Sequence, residues 1–106
     1  LQTRGVRLFA EIDQAEAAVQ AGLAMRPTAL FVFGSPKAGT PIMQAYPYAA
    51  VELPLRAVVS DEGAAGVYLY YQDAARALGE EYGVAADLLD PLRGTGKLMR
   101  FVAGEE

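Results

Sequence analysis

The chain has 106 residues, enough for one domain that buries roughly 65% of the surface its unfolded form exposes. It contains neither cysteine nor histidine, which excludes Cys/His zinc sites, disulfides, thiol nucleophiles and Ser-His-Asp triads but leaves carboxylate-only cation sites open. Nine basic residues lie scattered among thirteen acidic ones, for a net charge of −4, so no basic footprint for nucleic acid is present.

Residues 1–5 read as the last turn of a helix or as a linker, with Gly5 as the stop. Residues 6–12 then alternate, Val6, Leu8, Ala10 and Ile12 against Arg7, Phe9 and Glu11, which predicts a strand with one half-buried face. Asp13 is placed as a helix N-cap with Glu16 three residues on. Ala15, Ala18, Val19, Gly22 and Leu23 follow at helical spacing, predicting a helix to about Met25, where Arg26-Pro27 breaks the pattern. Residues 28–33 are apolar throughout after Thr28. Such a strand is expected to be covered on both faces, by helices on both or by a second subunit on one.

Residues 34–39 read as a loop, with Thr40 as N-cap and Pro41 at the first position of a short helix. That helix carries Ile42, Met43 and Tyr46 inward and stops before Pro47. Residues 48–59 form the third strand region. Val51, Leu53, Leu55 and Ala57 share one face, Glu52 and Arg56 the other, and Pro54 marks a bulge or an edge. Asp61-Glu62-Gly63 is a hairpin signal. The fourth strand, 66–71, sets Val67, Leu69 and Tyr71 against Tyr68 and Tyr70. Asp73 caps a helix over about 74–82 that Gly83 ends. Residues 84–89 and 98–102 read as helical, with Asp90-Pro91 and Gly94-Thr95-Gly96 between them. The fold expected is α+β: an at least partly antiparallel sheet of about four strands with packed helices, over a single domain at 1–106. With no long apolar run and no signal-peptide pattern, the chain is expected to be cytoplasmic, without a membrane or nucleic-acid partner.

Several stretches resemble a known family. Gly5-Val6-Arg7-Leu8-Phe9-Ala10-Glu11-Ile12-Asp13 is similar to its glycine, strand and F-x-x-I-D segment. Arg26-Pro27-Thr28 through Phe33-Gly34-Ser35-Pro36 to Gly39-Thr40-Pro41 is similar to its R-P-T, F-G-N-P and G-T-P elements, and Glu52-Leu53-Pro54-Leu55-Arg56 to its D-L-P-L-K. The family is domain-of-unknown-function family 302. The resemblance implies a small α+β domain and no particular activity. Gln14 and Ser35 stand where the family often has histidine and asparagine. Members usually carry a strand and most of a helix before the glycine. The resemblance thus implies a domain lacking those pieces, with an open sheet edge that invites pairing.

The segment Gly34, Ser35, Lys37, Gly39 and Thr40 is the candidate anion site. A strand leads into it, a helix N-terminus leaves it, and it offers one ammonium and two hydroxyls. It is not a Walker A loop, because Thr40-Pro41 stand where that motif needs Lys and Ser or Thr. The other reading is a plain strand-to-helix turn. Gly94-Thr95-Gly96-Lys97 reads as an inter-helix link. Glu52 and Arg56 form a charged pair, either part of a polar pocket with Tyr68 and Tyr70 or a surface ion pair. Glu80, Glu81, Asp87 and Asp90 fit no calcium loop, so no metal site is assigned; the sequence does not identify a cofactor. The function expected is a non-enzymatic module that binds a small anionic ligand or a protein and works as a homo-oligomer. The alternatives are a small enzyme holding an anionic metabolite on Lys37 and Thr40 with Glu52 as base, and a structural partner within a larger complex.

Overall fold

The computed structural model describes residues 6–94. Four strands, β1 (Arg7–Asp13), β2 (Thr28–Gly34), β3 (Leu55–Asp61) and β4 (Val67–Tyr71), form one sheet in the order of the chain, each antiparallel to the next. The helices are α1 (Gln14–Gln20), α2 (Pro36–Ala45), α3 (Ala74–Tyr82) and α4 (Ala86–Leu89). The architecture is the α+β fold that the hairpin signal and the strand patterns predict. Asp61 accepts a bond from the Gly63 N–H at 3.0 Å and so shapes the β3–β4 turn.

Two clusters make the core. Phe33, Leu55, Ala57 and Ala74 bury one face of the sheet at the β2–α2 end. Ile42, Ala49, Ala75, Leu78, Val84, Leu89 and Leu92 form a helical cluster beside it. Leu53 packs on both. Helix α3 is a local consequence of its sequence: Asp73 caps it through the Arg76 N–H at 3.2 Å, and Gly83 closes it at φ +68°. Its alanine face brings Ala74 to one cluster and Ala75 to the other.

Several expected boundaries are corrected. Helix α1 stops at Gln20, not near Met25. Gly22 takes φ +80°, and the Gly22 and Leu23 N–H groups bond back to Val19 and Ala18, a Schellman stop. The apolar stripe therefore ends early, and Val19 and Leu23 stay 60% and 68% exposed. Helix α2 begins at Pro36, with Ser35 in the N-cap position, so Thr40 and Pro41 lie inside it rather than at its start. Proline at the first helical position is already set in the helical φ range, and the later proline forgoes one backbone bond.

The third strand begins only at Leu55. A 3-10 turn over Pro47–Glu52 and the cis Leu53–Pro54 peptide precede it. Glu52 and Arg56 therefore do not share a strand. In β1, Leu8 pairs with Phe33 but Ala10 pairs with Val32, so Phe9 is an extra, bulged residue. The bulge breaks the predicted alternation: Leu8 joins the core face, whereas Ala10 and Ile12 turn to the other face.

That other face bears on the expectation that helices cover β2 on both sides. It carries Ala10 and Ile12 from β1, Leu30 and Val32 from β2, Arg56, Val58 and Ser60 from β3, and Tyr68 and Tyr70 from β4. None of these residues belongs to either core cluster. Strand β2 is central, but among the described residues helices do not cover it on both sides.

Candidate functional site

Gly34, Ser35, Gly39 and Thr40 come together on the wall of a cavity of about 220 Å³. The rest of the wall comes from elsewhere in the chain, including Phe9 from the β1 bulge, Leu53 and Pro54 ahead of β3, and Leu92. Gly34, Gly39, Leu55 and Leu92 are buried and form the floor, while Phe9, Pro54 and Thr40 are exposed at the mouth. Lys37 is exposed on α2 and is not part of the wall. Ser35 makes no side-chain cap bond. The segment chosen from the sequence is thus the side of a mainly apolar cavity, with two hydroxyls and no charge in its lining. The loop Gly94-Thr95-Gly96-Lys97 falls outside the described residues after Gly94.

Glu52 and Arg56 still meet, although one comes from the 3-10 turn and the other from β3. The guanidinium lies 3.4 Å from the carboxylate and also donates to Gln72 at 3.4 Å. The Tyr82 hydroxyl donates to the same carboxylate at 3.1 Å. Glu52 thereby ties the end of α3 to the start of β3. The sequence reading missed Tyr82, whose place depends on a contact thirty residues away. Its ring stacks with that of Tyr48 at 6.2 Å.

Tyr68 and Tyr70 are separate from this pair. They stack on the open sheet face with centroids 6.2 Å apart. The Tyr68 hydroxyl donates to the Ala65 carbonyl at 2.7 Å, and that of Tyr70 donates to Glu62 at 2.6 Å. The expected polar pocket of Glu52, Arg56, Tyr68 and Tyr70 is therefore two places: a bonded network at the α3 end and a tyrosine pair on the sheet. Among the described residues, no group of three or more acidic, Cys or His side chains is placed to hold a metal ion.

The two carboxylate-bound phenols carry a pH prediction. The hydrogen bond to Glu62 is the main cause that raises the pKa of Tyr70, followed by desolvation and by the Glu62 charge; Glu52 acts in the same way on Tyr82. A folded-state pKa above the unfolded value near 10 makes a contribution that is complete below about pH 10 and lost as pH rises through the raised value. Thermal melting across the alkaline range should show stability falling above about pH 10, with a shallower fall in the Tyr70→Phe/Tyr82→Phe double variant. Equal slopes for the two proteins would mean that these bonds do not form in solution.

An antiparallel four-stranded meander with helices toward one face, a small apolar cavity at one end and an open tyrosine-bearing face defines an α+β domain. The chain matches the family described as Domain of unknown function DUF302 over residues 1–98, and it belongs to that family. A crystal structure of an uncharacterized conserved protein DUF302 from Bacillus stearothermophilus shares the fold, with a TM-score of 0.76 at 15% sequence identity, over 93% of this chain and 76% of that one. Among curated proteins, the chain is similar to Fluoride-specific ion channel FluC 1 of Brucella suis biovar 1, at 32% identity over 109 aligned positions. The match to the protein of the same name from Brucella abortus biovar 1 is also 32% identical. It covers 98% of this chain but only 42% and 40% of those two relatives. No helix among the described residues is long and apolar enough to cross a membrane.

Proposed function

We propose that this domain is an interaction module that pairs with a second copy of itself through the open face of its sheet. The observation that carries the reading is that face's composition. Ile12, Leu30, Val32 and Val58 make an apolar centre, and Tyr68 and Tyr70 stand beside it at 44% and 51% exposure. An apolar patch with tyrosines at its side is characteristic of surfaces that bury against protein. Sheets stack face to face at about 10 Å without new backbone bonds.

The charges favour a copy of the same chain. Arg7 stands at one end of the face, opposite Gly34, and Glu62 lies at the other, bonded to Tyr70 and 3.5 Å from Arg26. A two-fold axis that lies between the opposed sheets and runs across their strands sets the Arg7 end of one copy over the Glu62 end of the other.

The other readings draw less support. A free anion would meet mainly apolar walls at the Gly34–Thr40 cavity, with Lys37 outside them. As a base, Glu52 would have to give up Tyr82 and Arg56, and it is not part of the cavity wall. The Brucella relatives are named as channels, but this chain spans about two fifths of their length. We read ion conduction as a property of the rest of those chains and pairing as what the shared part contributes.

Light scattering at roughly 100 μM, above the micromolar dissociation constant that a weak interface of standard size supports, should give a dimer. Val58→Glu puts an unpaired charge at the centre of the face, and should give a folded monomer at the same concentration. A wild-type chain that stays monomeric there would sink the reading.

A further inference from the structure

We infer that the cavity between the β2–α2 junction and residues 53–55 is a binding site for a small, mainly apolar molecule with one hydrogen-bond acceptor, of the class of monocyclic aromatic carbonyl compounds. The volume is the first reason. Native interiors hold few voids larger than a water molecule, and an engineered apolar cavity of about 150 Å³ stays dry and takes up benzene. This one measures about 220 Å³, opens to solvent past Phe9, Pro54 and Thr40, and needs no mutation to exist.

The lining is the second reason. A buried water needs two to four polar partners, and the floor of Gly34, Gly39, Leu55 and Leu92 offers no polar side chain. The polar side chains are at one side only. Ser35 stands in the N-cap position without accepting the backbone bond that a serine oxygen usually accepts there, so its hydroxyl is not oriented by α2 and its O–H is available to a ligand. Thr40 adds a second hydroxyl on the same wall. The exposed wall is almost wholly apolar, and the two hydroxyl-bearing residues border it at one side, which suits a ring with a single carbonyl oxygen at its edge. Two wider depressions, of about 470 and 520 Å³, are lined in part by Asp13, Glu16 and Asp61 or by Asp73, Arg76 and Glu80, and so favour water.

The third reason is the glycine at position 39. It lies inside α2, where alanine is the better helix former. Crowding does not require it: a Cβ there would meet Met43 Cε at 3.8 Å and Leu53 Cδ1 at 3.9 Å, ordinary contact distances. The absent methyl leaves room on the cavity side that neither packing nor propensity demands. Keeping that room open for a ligand accounts for it.

The probes are acetophenone, ethylbenzene as its near-isostere without the oxygen, and benzoate as a charged analogue. They are titrated into the chain and followed by backbone amide NMR. Acetophenone should give saturable shifts at the Gly34, Ser35, Gly39 and Thr40 amides, and bind several-fold more tightly than ethylbenzene. Gly39→Ala should melt at a higher temperature than wild type and bind acetophenone at least tenfold more weakly. Thr40→Val, should the first variant misfold, should erase the preference for acetophenone over ethylbenzene. Shifts confined to the open sheet face, undiminished binding to a folded Gly39→Ala, or no saturable shift with any probe would overturn the site. Benzoate binding best would overturn the ligand class.

Discussion

Phe33→Ala is expected to destabilise the fold by about 3–5 kcal/mol and to lower its melting temperature by roughly 15 °C or more. Phe33 is 1% exposed, at the end of β2 where the sheet meets the helices. Its cluster partners, Leu55, Ala57 and Ala74, are fixed to β3 and to the first turn of α3. Two of the three are alanines, too short to move into the vacated volume. The loss of transfer free energy is therefore joined by the cost of a cavity that the backbone cannot close. Such a cost is a large part of the about 5–15 kcal/mol that holds a domain of this kind together. Phe31 provides an internal control. It lies on the same face of the same strand but is only half-buried, so Phe31→Ala should cost distinctly less. Urea unfolding would measure both as shifts in midpoint at unchanged slope. Equal costs at the two positions would mean that the cluster around Phe33 is no better packed than the open half of the sheet.

The parts of this fold that were legible in the sequence are those whose causes are local. Asp73 and Gly83 bracket α3 with a side-chain cap and a left-handed stop, and both signals act within one turn of the helix. The Asp61-Glu62-Gly63 turn needs only its own residues, and from it the antiparallel β3–β4 pairing follows. The errors arise where two local signals compete or where a distant partner decides. Ser35-Pro36 and Thr40-Pro41 are the same start signal written twice, and periodicity has no means of choosing the first. The bulge at Phe9 exists only relative to β2, so no reading of residues 6–12 alone could turn Ile12 away from Leu8.

The site divides in the same way. Gly34, Ser35, Gly39 and Thr40 stand out through their residue types, and the fold does assemble them. The chemistry of the place, however, is set by Phe9, Leu53, Pro54 and Leu92, which arrive from three other parts of the chain. The stretches around Gly34–Thr40 and Leu53–Leu55 that carry the family resemblance are the ones that enclose the cavity. Glu52 and Arg56 meet across the junction between the 3-10 turn and β3, not along one strand as their spacing suggests.

Leu78→Ala is expected to cost about 2–5 kcal/mol, and what it does in combination bears on how the domain holds together. Leu78 is fully buried in the middle of the helical cluster, among Ile42, Ala49, Ala75, Val84, Leu89 and Leu92. These neighbours come from separate segments of the chain, so no single shift of one helix fills the gap. The two clusters are not independent, because Leu53 packs on both and the neighbouring Ala74 and Ala75 divide between them. Substitutions with shared partners couple, typically by about 0.5–3 kcal/mol. The Phe33→Ala/Leu78→Ala double variant should therefore depart from the sum of the single costs. Each single variant should still unfold in one transition, seen alike by tyrosine fluorescence and far-ultraviolet circular dichroism. Separate transitions for the two probes, with costs that simply add, would mean that sheet and helical cluster fold as units of their own. In that case the cavity, whose wall joins Leu92 of the helical cluster to Leu55 of the sheet, would open with the weaker unit. A single coupled transition instead makes the cavity wall as stable as the fold, and the room left at Gly39 a property of the native state rather than of a loosened one.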